Sequence, residues 1–541
     1  MTLQNLLAFS PELWLLAGAI AVLLLARLNP GVSSTAVALG AVILALLALL
    51  TQFKSTITIL DGAFLLDGYA IFLDVIILSA AAIALLLTVA DIIPGESRSG
   101  ELAGLLLLAT MGAMLAVSAA EMVALRLALE LLAVNLYLLA SLARRGGDAA
   151  RAGLGYLVLG VAGTAVLLYG LALLYGLTGE TRLTAVGTAL KAVGPKQPAV
   201  LLALSLLIVG FAGKLGLTPV RWWTRSFDLG VPMRVLAFVS SVGMVAGFGA
   251  FARLLWSTFY GTSIGYAAVL AAVAAIAMTA GNLLALAQTS VRRLLVYSTV
   301  AQGGFALAAL VDLPRNGISA LLIFLAALAL TNLCAFAAMI AYSRAVHSDA
   351  ISDLAGMAHA TPGVAIVLGI GLASLIGFPP LAGFFGKFLV LQAVAEAGYS
   401  WLALVGVVNV LLAALCYLRV IRVAFLDDPV YEVVPRGFDR SLQLAMGVSA
   451  AGVVFLGAFL GPLLSAAGYG QHGLSHSASN KTMPTTSSPT RGPDHQPAQT
   501  VTLGPLPRFP KARRQAAQRA TPHANPRPPR DAKHPPHRAG P

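Results

Sequence analysis

Through its first 470 residues the chain alternates long apolar runs with short polar connections. Apolar runs of roughly 20 residues, the length at which a helix rising about 1.5 Å per residue crosses a bilayer core, recur near 12–28, 34–51, 68–90, 102–118, 122–142, 153–176, 199–217, 232–255, 264–287, 294–312, 317–342, 363–387, 400–424 and 442–468. The pattern predicts an all-α polytopic membrane protein with about fourteen transmembrane helices. A β-barrel would show alternating segments of about ten residues, and none is present. Charge gathers in the connections RRGGDAAR (144–151), RWWTRSFD (221–228), SRAVHSDAISD (343–353) and DDPVYEVVPRGFDR (427–440). The opening run lacks a basic leading region and a small-residue cleavage site, so it predicts a retained first span.

Composition agrees with this pattern. Of 541 residues, 58% are hydrophobic and 11% charged, where a soluble domain carries about 25% charged residues. Cys334 and Cys416 lie inside apolar runs, there is no CxxC, and His347 and His359 are the only histidines before residue 471. Haem, iron–sulfur and structural metal sites therefore lack ligands, and no phosphate-binding glycine motif is present. Neither cofactor nor metal is expected on this chain, and any redox or nucleotide chemistry is expected on partner subunits. Basic residues concentrate after odd-numbered spans, Arg144, Arg145, Arg151, Arg221, Arg225, Arg292 and Arg293 among them, and are sparse after even-numbered ones (Lys54, Arg182, Lys191, Lys196, Arg253, Arg315). The bias predicts cytoplasmic odd connections and both termini on the outer side of the cell membrane.

Residues 471–541 have a different composition, rich in proline and poor in apolar residues. Such a segment cannot repay the entropy of ordering, so a disordered basic tail is expected. Eleven Lys/Arg against Asp494 and Asp531 give it a net +9 of the chain's +13. The high isoelectric point therefore belongs mostly to the tail and does not indicate nucleic-acid binding. A solvated extension is the plainer reading of the tail, and an arm on anionic lipid or a partner the sharper one.

Two lysines stand out against this background. The lysines before residue 471 are Lys54, Lys191, Lys196, Lys214 and Lys387, and the last two sit inside apolar runs. A charged amine at the bilayer centre costs about 2.5–3.5 kcal/mol on insertion scales, so it marks an ion pathway by default. Both lie beside helix breakers: GFAGKLGLTPVRWW (210–223) holds Pro219, and GFPPLAGFFGKFLVL (377–391) holds Pro379 and Pro380. The two segments are five spans apart, an odd offset that inverts the second relative to the first, and they predict inverted repeats with broken helices at matching positions. Gly210, Gly213, Gly383 and Gly386 are expected to permit unwinding there. Glu130, within the apolar run 122–142, is the expected counter-charge to Lys214, each offsetting the other's burial. Arg126, four residues earlier, either pairs with Glu130 or snorkels to the interface. Ser240, Ser241 and Gln302 are candidate water ligands between the two lysines, with back-bonding or helix contact as the bland alternatives. Asp74 and Asp91 are expected at the membrane interface.

At these residues the chain resembles a known family. GNLLALAQTSVRRLLVYSTVAQGGF (281–305), ASLIGFPPLAGFFGKF (373–388) and LALELLAVNLYLLASL (127–142) are similar to the antiporter-like, proton-pumping membrane-arm subunits of respiratory complex I. PELWLLAGAIAVLLL (11–25) and the stretch 144–179 fit subunit N of NADH-quinone oxidoreductase best within that group. The resemblance covers about residues 10–465 and implies fourteen transmembrane helices with two inverted five-helix repeats. It also implies functional roles for Glu130, Lys214 and Lys387. The family's central lysine on the eighth helix does not carry over, since Met244 stands there, and Gln302 replaces a histidine found on the tenth. Either hydroxyls and water bridge the two lysines, the reading favoured here, or this chain relays protons poorly.

The expected organisation is N-terminal helices over 1–101, repeats over 102–255 and 264–424, a last helix over 442–468 and the tail over 471–541. The expected function is proton translocation within an NADH- or ferredoxin-linked quinone oxidoreductase, with quinone and redox centres on partner membrane-arm subunits and lipid around the chain. A cation/proton antiporter subunit and a scaffold that no longer pumps are the alternatives.

Overall fold

The structure is a computed structural model describing residues 3–28, 34–53, 56–90, 99–142, 147–193, 197–215, 231–262, 265–429 and 438–479. Pro219, Asp91 and the part of the expected tail beyond Ser479 lie outside these residues. Twelve helices among the described residues are long and apolar enough to cross a membrane. Two further segments lie where the sequence predicts spans: the short apolar helix Pro198–Lys214, and the helices Pro362–Ile376 and Ala382–Glu396. One two-stranded hairpin, Ile57–Ile59 with Phe64–Leu66, precedes the helix Gly68–Ala90.

A helix that is apolar all round is buried by protein or by lipid, and periodicity alone does not separate the two cases. Packing separates them here. The spans Arg315–Val346, Met233–Phe259 and Val291–Asp312 have 94%, 89% and 89% of their apolar windows buried inside the chain. Ser10–Leu28 and Ser400–Leu426 have only 33% buried and present their leucines outward. The three buried spans carry Ser240, Met244, Gln302, Thr331 and Asn332, so the polar side chains of the interior sit on helices shielded from lipid.

The break near Lys387 follows from local chemistry. Pro362–Ile376 ends at Gly377, whose φ of +94° is open to glycine and strained for other residues. Pro379 and Pro380 follow in the link before Ala382 and supply no backbone donors. Gly383 then passes so close to Ser374 that an added Cβ would lie 1.9 Å from its carbonyl oxygen, and the Gly383 N–H donates to Ser374 Oγ at 3.1 Å. The glycines beside both lysines act differently from expectation, since Gly383 and Gly386 lie inside the wound helix Ala382–Glu396. Gly210 and Gly213 lie within Pro198–Lys214, and the helix stays wound through both. Gly210 allows close packing, since a Cβ there would meet the Leu167 backbone at 2.7 Å.

Three further expectations need correction. Residues 471–479 continue the helix Leu460–Ser479, so composition placed the start of the tail too early. Arg253, counted with the polar connections, is 2% exposed within Met244–Phe259. It forms a two-pronged ion pair with Asp67, Nη2 to Oδ1 at 2.7 Å and Nη1 to Oδ2 at 3.0 Å, while its Nε donates to the Val117 carbonyl at 2.6 Å. Asp67 also caps the helix that follows by accepting from the Ala70 N–H at 2.9 Å. Asp74, expected at the interface, is 0% exposed in the second turn of Gly68–Ala90.

The Asp67–Arg253 pair ties the N-terminal helices to Met244–Phe259. Removing one partner strands a charge in an apolar interior, a loss of about 3–5 kcal/mol. Asp67→Asn is therefore expected to lower the thermal stability of the chain and its yield in membranes, measured by a detergent melting curve. Asp67→Asn together with Arg253→Met is expected to recover much of that loss.

Candidate functional site

The first half of the site rests on helix spacing. Arg126 and Glu130 are four residues apart on Met122–Leu142, which places them on one face a turn apart. Lys214 is the last residue of Pro198–Lys214, and Thr164 projects from Gly147–Thr178. Glu130 Oε1 accepts from Lys214 Nζ at 2.6 Å, from Thr164 Oγ1 at 2.7 Å and pairs with Arg126 Nη1 at 2.8 Å. The predicted Glu130–Lys214 pair is thus formed, with Lys214 10% and Glu130 24% exposed at the side chain. Arg126 joins the pair instead of snorkelling away. Sequence reasoning missed Thr164; its signal is a lone hydroxyl in the otherwise apolar GVAGTAVLL (160–168).

Such a cluster is chemically adjustable. Two cations share one carboxylate oxygen, so displacing Lys214 leaves Glu130 still paired with Arg126. Lys214 can then give up a proton without stranding a bare carboxylate. Charge-assisted hydrogen bonds contribute about 1.5–3 kcal/mol each, enough to couple small movements to charge state.

Lys214 opens onto a partly open cavity of about 100 Å³, lined also by Ser240, Met244, Val296, Thr299, Val300 and Phe336. At about 30 Å³ per water the space admits a few molecules. Its polar rim is thin. Ser240 Oγ donates to the Ala237 carbonyl at 3.2 Å and Thr299 Oγ1 to the Leu295 carbonyl at 3.0 Å, which leaves hydroxyl oxygens free to accept from water. Ser241 does not join this rim. It is fully buried and donates to the Ala237 and Phe238 carbonyls at 2.6 and 3.3 Å, the back-bonded alternative. Both serines lie in a π-helical turn, Val239–Gly243, immediately before Met244, whose side chain forms part of the cavity wall.

The second half is built around Lys387, 3% exposed in the first turns of Ala382–Glu396. Its Nζ donates to the Leu375 carbonyl and, at 3.4 Å, to the Ile376 carbonyl. These are the last carbonyls of Pro362–Ile376, the negative end of that helix dipole, so free backbone acceptors hold the ammonium where no carboxylate does. The Phe305 ring lies 4.9 Å away and adds a cation–π contact. Gln302 Nε2 donates to the same Leu375 carbonyl at 3.3 Å, which brings the predicted Gln302 and Lys387 together. Polar contacts continue back toward the cavity: Thr331 Oγ1 to Ser374 Oγ at 2.8 Å, and Asn332 Nδ2 to the Ser240 carbonyl at 2.7 Å. Of the residues singled out in the sequence, Glu130, Lys214 and Ser240 meet at one end, Gln302 and Lys387 at the other, and Pro379 and Pro380 make the link beside Lys387. Among the described residues no three His, Cys, Asp or Glu side chains converge as metal ligands.

Comparison with known proteins places this arrangement. Residues 119–413 match the family model described as NADH:quinone oxidoreductase/Mrp antiporter, transmembrane. The NADH-quinone oxidoreductase subunit N of Trichlorobacter lovleyi is 34% identical over 412 residues, 76% of this chain and 85% of that protein. A chain of respiratory complex I from Thermus thermophilus superposes with a TM-score of 0.71 at 28% identity, covering 84% of this chain and 99% of that one. A chain of the Mrp complex from Dietzia sp. DQ12-45-1b superposes with a TM-score of 0.77 at 21% identity, covering 88% of this chain and 99% of that one, a likeness of fold alone. Taken with the paired and carbonyl-held lysines, these matches show that the chain belongs to the NADH-quinone oxidoreductase subunit N family of antiporter-like membrane subunits.

Proposed function

We propose that this chain translocates protons through a buried path from the Glu130–Lys214 pair to Lys387, driven by redox chemistry on partner subunits. The observation that carries the reading is the pairing of two buried amines with different partners. Lys214 answers to a carboxylate that also holds Arg126, and among the described residues Lys387 answers only to carbonyls and an aromatic face. When the Glu130–Lys214 pair is closed the ammonium is favoured, and when it opens Lys214 releases its proton to water in the adjoining cavity. That proton passes along water held by Ser240 and Thr299 toward Gln302 and the neutral amine of Lys387. Lys387 then delivers a proton to the outer face, and its amine is reset from the Lys214 side.

The chain works in this reading among other membrane-arm subunits in the inner membrane, with both termini outward and the quinone and redox centres elsewhere in the complex. The domain limits read from the sequence group the two halves of the path into repeats 102–255 and 264–424.

In inverted membrane vesicles, Lys387→Ala is expected to slow proton uptake coupled to quinone reduction by about a hundredfold or more, the scale of a lost proton-transfer group, with the complex still assembled. Wild-type pumping in that variant would remove Lys387 from the path. Glu130→Gln is expected to slow coupled turnover about tenfold, as loss of one charge-assisted bond of about 1.5–3 kcal/mol implies. Met244→Lys places an amine in the cavity wall and is expected to change the proton-to-electron ratio; an unchanged ratio would mean that the cavity is off the path.

A further inference from the structure

Away from the lysine path, a second group of buried acids fails a simple charge count. Glu12 on Ser10–Leu28 is 8% exposed and Asp74 on Gly68–Ala90 is 0% exposed. Asp74 Oδ1, Asp74 Oδ2 and Glu12 Oε2 are buried without a hydrogen-bond partner. Among the described residues, the charged groups that act on Asp74 are Glu12, Asp67 at the start of its own helix, and Arg253 from Met244–Phe259. The other helices packed on Gly68–Ala90 bring Glu101, Arg234, Arg344, Arg440 and His472, and these stand outside that set. Arg253 is already engaged by both oxygens of Asp67 and by the Val117 carbonyl. Asp74 thus faces two other acids and one guanidinium, and that guanidinium is committed to Asp67.

Two uncompensated negative charges among apolar helices are not sustained, because each carries a desolvation penalty of several kcal/mol after relaxation. A neighbouring subunit cannot supply the missing cation to Asp74, whose side chain is already enclosed by its own chain. Something small must neutralise the pair. The orphan oxygens number one on Glu12 and two on Asp74, and among the described residues no third carboxylate, thiolate or imidazole joins them as a metal-ligand cluster, which is too poor a set for a bare metal ion and sufficient for protons.

We propose that Glu12 and Asp74 form a proton-binding site, separate from the Glu130–Lys214–Lys387 path, in which each carboxylate takes one proton from water to become a neutral carboxylic acid. The site lies among the N-terminal helices, beside the Asp67–Arg253 pair. It does not depend on the reading of the lysine path, and the two can fail separately.

Infrared difference spectroscopy on the assembled oxidoreductase in lipid tests the site. Wild type minus Asp74→Asn is expected to lose one deuterium-sensitive carbonyl stretch of a protonated carboxyl, and wild type minus Glu12→Gln another. Each is expected unchanged when sodium chloride replaces potassium chloride. Loss of carboxylate stretches alone would overturn the proposal, as would a carbonyl band that sodium converts to carboxylate. If one variant does not assemble, the other still decides the matter through the band of its own carboxyl.

Discussion

The constraint on which this structure depends is the cost of holding charge where water is scarce. Every ionisable side chain drawn inside the helical bundle must be neutralised by a partner, by a helix end or by a proton. The chain displays the first two. Asp67 and Arg253 satisfy each other almost completely and fasten two groups of helices. Glu130 divides one oxygen among Lys214, Arg126 and Thr164. Lys387 rests on the carbonyls left over where Pro362–Ile376 ends.

These solutions differ in how easily they are undone, and the proposed function follows from that difference. A two-pronged guanidinium–carboxylate pair with further hydrogen bonds on both members is rigid. A single lysine on a shared carboxylate oxygen can be exchanged, because the carboxylate keeps another cation when the amine leaves. An ammonium on backbone carbonyls has no counter-charge to lose, so it releases a proton without leaving a stranded anion. The structural pair and the adjustable pairs are made from the same residue types and separated by their surroundings.

Met244 shows how packing decides what a familiar position does. The family resemblance implies a lysine there; in this chain a thioether closes the wall of a small cavity between Lys214 and the helix that carries Gln302. The cavity is mostly apolar, with hydroxyls at its rim, so any proton crossing it moves on water. The conductance of such a gap depends on the few polar side chains of its lining that position that water, Tyr137, Ser240, Thr299 and Lys214 itself.

Sequence alone determined the fold class, the placement of most apolar spans, the broken segment at Pro379 and Pro380, and the choice of Glu130, Lys214 and Lys387 as the candidate functional side chains. It did so because a bilayer imposes a fixed length on apolar runs and a heavy penalty on charge within them, and both leave marks in a linear pattern. Tertiary structure alone decided which apolar helices face lipid and which face protein, and that Arg126 turns to Glu130. It also decided that Thr164 completes the pair, that Ser240 lines a cavity while Ser241 does not, and that Arg253 and Asp74 are interior residues and not edge residues. Those outcomes depend on which neighbour each helix face meets, a relation between segments far apart in the chain that no local periodicity encodes.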